Sequence, residues 1–381
     1  MRGTSMQKIK LIATAAMGLE SVVANEVRAL GYDVTVENGK VIFEAPLSAI
    51  PRCNLWIRTA DRIKLVVGEF QALSFDELFE STKALPWENY ISEDGTFPVS
   101  GKSVKSKLYS VSDCQAIVKK AIVERLKLKY GRASRMPETG ALYKVEISLL
   151  KNNATLTIDT SGAGLHKRGY RIGHGDAPLK ETMAAALILL TNWHPDEPLI
   201  DPFCGSGTIP IEAALIGQNI APGFNREFAS EEWHLIRPKL WEKAFEEAED
   251  KADYDQKLNI TGTDIDHRMI QIAKDNSLEA GLADIIDWKQ MQVKDLIIRD
   301  DNGYLVGNPP YGQRISDRDS VSKLYEDLGK TMKEHPSWSV YILTAFEDFE
   351  KHYNQKATKK RKLFNGFIQT NYYQYFGVKQ K

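Results

Sequence analysis

From residue 165 onward, short apolar runs alternate with segments of helical period, and that rhythm leaves few folds open. The apolar runs fall at 198–203, 259–264, 285–290, 303–307 and 339–346; helical repeats occupy 209–216, 268–280 and 322–335. Strands separated by helices pair in parallel and are covered on both faces, so an α/β fold with a doubly wound sheet is expected. Such sheets bind ligands in the crevice beyond the carboxyl ends of their strands. The rhythm breaks near the C-terminus, where 361–368 and 372–378 read as two strands with no helix between them, an appended antiparallel hairpin.

The preceding residues read as smaller α+β units. Over 6–69, a strand at 8–14 and a helix ending at Gly31 precede two strands that flank Asn38-Gly39. Asn-Gly between alternating runs signals a two-residue hairpin turn. Over 70–160, strands are expected at 96–101, 143–150 and 154–160, with a helix at 112–130. Ser161-Gly162-Ala163-Gly164 forms a linker, and 165–381 makes the third unit. Met1 to Ser5 is set aside because Met6 offers a second start.

The net charge of −1 conceals an uneven distribution. Between Gly101 and Arg135, ten Lys/Arg face only Asp113 and Glu124, a local excess of eight. Lys102, Lys105, Lys119, Lys120, Lys127 and Arg132 are therefore candidates for contact with a polyanion such as RNA. A solvated face is the other reading. Residues 226–257 are acidic and read as a helical insertion. The longest apolar run, Met183 to Leu190, is far too short to span a bilayer, so no membrane partner is expected. Cys53, Cys114 and Cys204 are scattered, as are the seven histidines. That pattern predicts reduced thiols in a cytoplasmic protein and no metal site.

Two motifs carry chemistry. Asp201-Pro202-Phe203-Cys204-Gly205-Ser206-Gly207-Thr208 joins a strand to a helix through two glycines, which permit a tight turn and close approach of a ligand to backbone. It lacks the GK[ST] of a phosphate loop. Asp264 ends the next strand, where an acid can accept from both hydroxyls of a ribose. Asn308-Pro309-Pro310-Tyr311 follows the fourth strand. Consecutive prolines stiffen the chain and remove two amide donors, leaving the Asn308 side-chain oxygen and the Pro309 carbonyl as paired acceptors. Two acceptors gripping the hydrogens of an exocyclic amine would draw its nitrogen toward tetrahedral geometry and aim the lone pair at a methyl donor. Tyr311 offers a ring on which a base can stack. Cys204 reads as a small packed residue, and Trp87 and Trp288 as core. The run Lys359-Lys360-Arg361-Lys362 reads as either a solvated turn or a phosphate contact.

These motifs resemble motifs I, II and IV of the class I methyltransferases that act on amino groups. The whole chain resembles the THUMP-domain RNA methyltransferases, whose lead-in to the catalytic domain is matched by Leu165-His166-Lys167-Arg168-Gly169-Tyr170-Arg171 and Ala177-Pro178-Leu179-Lys180-Glu181-Thr182. Within that family it most resembles the RlmL/YpsC group, which makes N2-methylguanine in 23S ribosomal RNA. The resemblance implies ferredoxin-like and THUMP domains ahead of a Rossmann-like sheet, with S-adenosylmethionine as cofactor. It places Asp201, Phe203, Gly205, Gly207 and Thr208 around the methionine end of the cofactor and Asp264 on the ribose, with Asn308 as a further candidate cofactor contact. The acid usual after the third strand is replaced by Gln292, with Asp295 as the other candidate. Asn308, Pro309, Pro310 and Tyr311 would be catalytic. The implied activity is guanine-N2 methylation of 23S rRNA. Transfer RNA as substrate, and glutamine methylation of a protein, are the alternatives.

Overall fold

The computed structural model describes residues 8–175, 178–312 and 317–378. Ala177 of the lead-in, and the chain ends at Met1 to Met6 and Lys381, lie outside the described residues. In chain order the elements begin with β1 (Ile9–Ala15), α1 (Glu20–Ala29), β2 (Val34–Glu37), β3 (Lys40–Ala45), α2 (Ala49–Trp56) and β4 (Ala60–Gln71). Next come α3 (Phe75–Ala84), β5 (Val99–Val104), α4 (Val111–Tyr130), β6 (Lys144–Leu150), β7 (Asn153–Asp159) and α5 (Glu181–Leu189). They continue with β8 (Leu199–Asp201), α6 (Thr208–Gly217), α7 (Pro238–Lys251), β9 (Ile260–Asp264), α8 (His267–Glu279) and β10 (Ile286–Gln290). The last are β11 (Gly303–Gly307), α9 (Arg318–Lys333), β12 (Trp338–Thr344), α10 (Phe349–Tyr353), β13 (Lys359–Asn365) and β14 (Ile368–Tyr375).

The chain divides into two compact units. The first holds the described residues up to Ala15 together with Val23–Leu165 and Glu227–Glu247. Its single sheet has the order β2-β3-β1-β4-β7-β6-β5. The sheet runs unbroken past residue 69 because β4 is long enough to pair with β1 along one edge and β7 along the other. Glu37 pairs with Lys40, so Asn38-Gly39 is the two-residue turn that its sequence signals. Residues 227–247 of the acidic insertion pack into this unit through aromatic rings: Trp233 stacks on Tyr143 at 5.0 Å, and Phe228 on Trp241 at 5.2 Å.

The second unit holds Ala16–Val22, His166–Arg226 and the residues from Ala248 onward. Its sheet has the order β10-β9-β8-β11-β12-β14-β13. The first five strands are parallel, while β14 pairs antiparallel with β12 and β13. Strand order reverses between β8 and β11, and their carboxyl ends form the crevice where doubly wound sheets take ligands. The late hairpin differs in one respect from the sequence reading. Its turn is Gly366-Phe367 rather than residues 369–371, since Asn365 pairs with Ile368. Gly366 has φ +62°, which β-branched and aromatic neighbours would resist and glycine accepts.

Candidate active site

The glycine turn after β8 is held from both sides. The Cys204 amide donates to the Thr263 carbonyl at 2.9 Å, and the Gly205 amide donates to Asp264 Oδ2 at 3.0 Å. The other carboxylate oxygen of Asp264 accepts from the Asp266 amide at 2.9 Å. A carboxylate has about four lone-pair directions, so Asp264 keeps acceptor capacity for a ligand. Gly207 has φ +88°, and a Cβ there would meet the Trp288 ring at 2.7 Å. Trp288 thus packs against the turn and supports it, while Trp87 is fully buried. Gly205 is the reverse case, with open space where a Cβ would stand.

Arg171 is the side chain that the sequence reading did not single out. Its guanidinium donates to Ser206 Oγ at 3.2 Å, Thr208 Oγ1 at 2.9 Å, the Leu179 carbonyl at 2.9 Å and Glu181 at 2.6 Å. The lead-in therefore clamps the start of α6. Deeper in, Glu212 accepts from the Tyr170 hydroxyl at 2.9 Å and from Arg168 at 3.2 Å, all three side chains being buried.

Asp201 is buried, and its Oδ1 accepts from the Phe203 amide at 3.0 Å. Burial pushes its carboxyl well above the usual carboxylate range, against the pull of that amide, and the Asp264 charge adds to the push. Burial likewise raises the Cys204 thiol, reinforced by Asp201 and Asp264. A protonated buried thiol is no nucleophile, which agrees with a packing role.

Two cavities meet this machinery. One of about 190 Å³ is lined by Asp201, Phe203, Cys204, Gly205, Thr208 and Asn308 among others. The other, about 660 Å³, is lined by Asp264, Gln292, Asn308, Pro309, Pro310 and Tyr311 among others. The structure thus brings every candidate cofactor and catalytic residue except Gly207 and Asp295 to a cavity wall, Gly207 serving the turn from behind. Gln292 lines the larger cavity and Asp295 does not. The open space at Gly205 and the acceptor at Asp264 fit the amino-acid and ribose parts of S-adenosylmethionine, which the resemblance implies. When bound, that cofactor supplies a sulfonium-activated methyl group.

The Asn-Pro-Pro-Tyr segment is arranged differently from the sequence reading. Asn308 Oδ1 is not free: it accepts from the Tyr311 hydroxyl at 2.6 Å, which itself accepts from Asn365 Nδ2 at 3.2 Å. The Pro310 carbonyl accepts from Tyr325 at 2.7 Å, and Tyr325 meets Thr344 at 2.8 Å. The segment is thus fixed through the Tyr325 and Tyr311 hydroxyls by side chains from α9, β12 and β13, which no local pattern announces. Burial pushes the Tyr311 hydroxyl up to about 12, so at ordinary pH it is a donor and never a base.

Half of the basic segment is paired: five of its ten bases form ion pairs among the described residues. Lys102 pairs with Glu146 at 3.3 Å, Lys119 with Glu138 at 2.8 Å and Arg132 with Glu93 at 2.5 Å. Lys119 also lies 3.5 Å from the centre of the Phe97 ring and is half-buried. The partner acids come from outside 101–135, so the linear charge count overstates the patch. Lys105, Lys120 and Lys127, joined by Lys107, form no ion pair among the described residues. Among those residues there is no group of three or more His, Cys, Asp or Glu placed to hold a metal. No helix among them is long and apolar enough to cross a membrane.

Comparison with known proteins agrees with this layout. Residues 168–374 match the RMKL-like methyltransferase domain, 10–64 the RlmL ferredoxin-like domain and 72–159 the THUMP domain. Over 372 residues the chain is 63% identical to a Bacillus subtilis (strain 168) protein named RNA methyltransferase YpsC, covering 97% of each. It is 34% identical over 375 residues to the ribosomal RNA large subunit methyltransferase K/L of Syntrophotalea carbinolica, covering 95% of this chain and 52% of that protein. The chain thus spans about half the length of the K/L relative. The solved structure of SMU.472, a methyltransferase complexed with SAH, superposes with a TM-score of 0.94 at 50% identity, covering 98% of this chain and all of that one.

Proposed function

This chain belongs to the RlmK/L family of S-adenosylmethionine-dependent RNA methyltransferases, and from that premise we propose that it methylates the N2 amine of a guanine in 23S ribosomal RNA. The observation that carries the proposal is the placement of Asn308-Pro309-Pro310-Tyr311 on the cavity wall that Asp264 and Gln292 share. A ring-conjugated amine is a weak nucleophile. Asn308 Oδ1 and the Pro309 carbonyl accept its two hydrogens, so the lone pair leaves the ring system and faces the methyl group. Tyr311 yields its bond to Asn308 as the amine arrives, and its ring then supports the base. The proton leaves after transfer, which requires no strong base. Such a substrate places the protein in the cytoplasm. Deleting the gene tests the assignment. One N2-methylguanine should disappear from 23S rRNA, whereas loss confined to transfer RNA, or to a protein glutamine, would reassign the substrate.

Asp264→Ala is expected to weaken cofactor binding by more than about tenfold, because losing acceptors of this kind costs roughly 1.5–3 kcal/mol. The same change frees the Gly205 amide and loosens the turn. Calorimetry giving an unchanged dissociation constant would remove Asp264 from the cofactor site.

The unpaired lysines supply the RNA side of the proposal. Reversing Lys105, Lys120 and Lys127 to glutamate in the intact chain should flatten the dependence of log affinity on log salt by about 0.7–0.9 per lost phosphate contact. An unchanged slope would leave that face merely solvated. Reversing Lys119 instead should damage the fold, since it opposes Glu138 and Phe97.

A further inference from the structure

Phe367 stands at the turn between β13 and β14 and is fully exposed. The residues on either side of the turn, Asn365 and Ile368, both line the cavity that holds Asn308 and Tyr311. Asn365 is also the donor to the Tyr311 hydroxyl. Glycine at the first position of a two-residue turn, with φ +62°, is what a tight hairpin of this kind requires. Below the tip, Leu363 and Thr370 are buried, and the Thr370 hydroxyl donates to the Leu363 carbonyl at 3.0 Å. The hairpin is therefore a braced, narrow projection that ends in an aromatic ring beside the mouth of the amine site.

The basic run on β13 divides in the same direction. Lys360 pairs with Glu350 at 2.5 Å, and the Arg361 guanidinium donates to the Gly18 carbonyl at 2.8 Å and to Ser21 at 2.9 Å. Lys359 and Lys362 are exposed and form no ion pair among the described residues.

Resting on the reading that the target is a guanine in structured RNA, we propose that Phe367 is a wedge that fills the stack when that guanine swings into the cavity. A base within a helix cannot present its amine to a recessed site, so it has to leave its stack first. Proteins that open a stack insert an apolar side chain between the neighbouring bases. Phe367 is within two residues of two cavity-lining positions, so the ring enters the gap while the extruded base occupies the pocket. Lys362, nearer the turn than Lys359, meets a phosphate of the opened strand.

The test uses the full chain and RNA oligonucleotides spanning the methylated guanine, presented either in a duplex or as a single strand. Phe367→Ala should lower the single-turnover rate on the duplex by roughly 10- to 100-fold, the range of one lost aromatic–base stack. On the single strand, and in cofactor affinity, it should stay near wild type. Phe367→Trp should restore most of the duplex rate. With 2-aminopurine in place of the target guanine, fluorescence should rise when the wild type binds the duplex and stay low at equal occupancy of Phe367→Ala. Equal rates for wild type and Phe367→Ala on the duplex would overturn the wedge. So would equal losses on both RNAs, which would place Phe367 in the pocket itself. Failure of the wild type to methylate guanine in either RNA is a separate result and would overturn the substrate assignment.

Discussion

Asn308→Ala is expected to lower the single-turnover rate of methyl transfer by about 10²–10³-fold, or roughly 2.7–4 kcal/mol, by analogy with the loss of one oxyanion-hole donor. Cofactor affinity should remain close to wild type. In the free protein Asn308 Oδ1 holds the Tyr311 hydroxyl, so the carboxamide is already oriented before any substrate arrives. Its grip on the amine strengthens as the nitrogen becomes tetrahedral. An interaction concentrated in the transition state lowers the chemical rate more than ground-state binding. Tyr311→Ala should behave differently, lowering RNA affinity together with the rate, because stacking also holds the base before reaction. A near-normal rate for Asn308→Ala would leave the Asn-Pro-Pro-Tyr segment as a rigid turn with no hold on the amine.

Glu212→Ala is expected to destabilise the second unit by about 3–5 kcal/mol, the usual result of removing one partner of a buried ion pair. Glu212 is completely buried and accepts from both Arg168 and Tyr170. Its loss removes an acceptor from a buried guanidinium and from a buried hydroxyl at once. Glu212→Gln, which keeps acceptor atoms in place, should cost less. Urea unfolding of the intact protein measures both variants. A Glu212→Ala midpoint indistinguishable from wild type would show that the cluster contributes nothing to stability. Glu212 lies on α6, directly after the glycine turn, so a milder effect on cofactor affinity should accompany the loss of stability.

The parallel sheet was legible because each strand is a short apolar run closed by a turn, and the period changes sharply where each helix begins. The glycine turn, Asp264 and Asn308 were legible for a related reason. Each sits at the carboxyl end of a strand, where topology alone assigns the ligand crevice. The Glu212 cluster was not legible, because a lone acid in an apolar helix announces no partner, and Arg168 is 44 residues away. The same is true of Asn365, Tyr325 and Thr344, which fix the Asn-Pro-Pro-Tyr segment from three other elements. The hairpin turn was misplaced because Leu363, Phe364, Phe367 and Ile368 read as one continuous apolar strand and hid the glycine among them. In the basic segment the count of charges was correct, but a linear count does not show which of them the fold pairs. Acids distant in sequence, Glu88, Glu93, Glu138 and Glu146, fold back onto it. The acidic insertion is helical over α7, as its sequence suggests, while Phe228, Trp233 and Trp241 rather than its charges decide where it packs.

Labelled S-adenosylmethionine, purified protein and 23S rRNA from a strain lacking the gene test the central claim most directly. After reaction, the RNA is digested to nucleosides and the label is assigned. Label in N2-methylguanosine, absent with Asn308→Ala, is the predicted result. Label in N6-methyladenosine, or none in 23S rRNA while transfer RNA or a release factor is labelled, would contradict it.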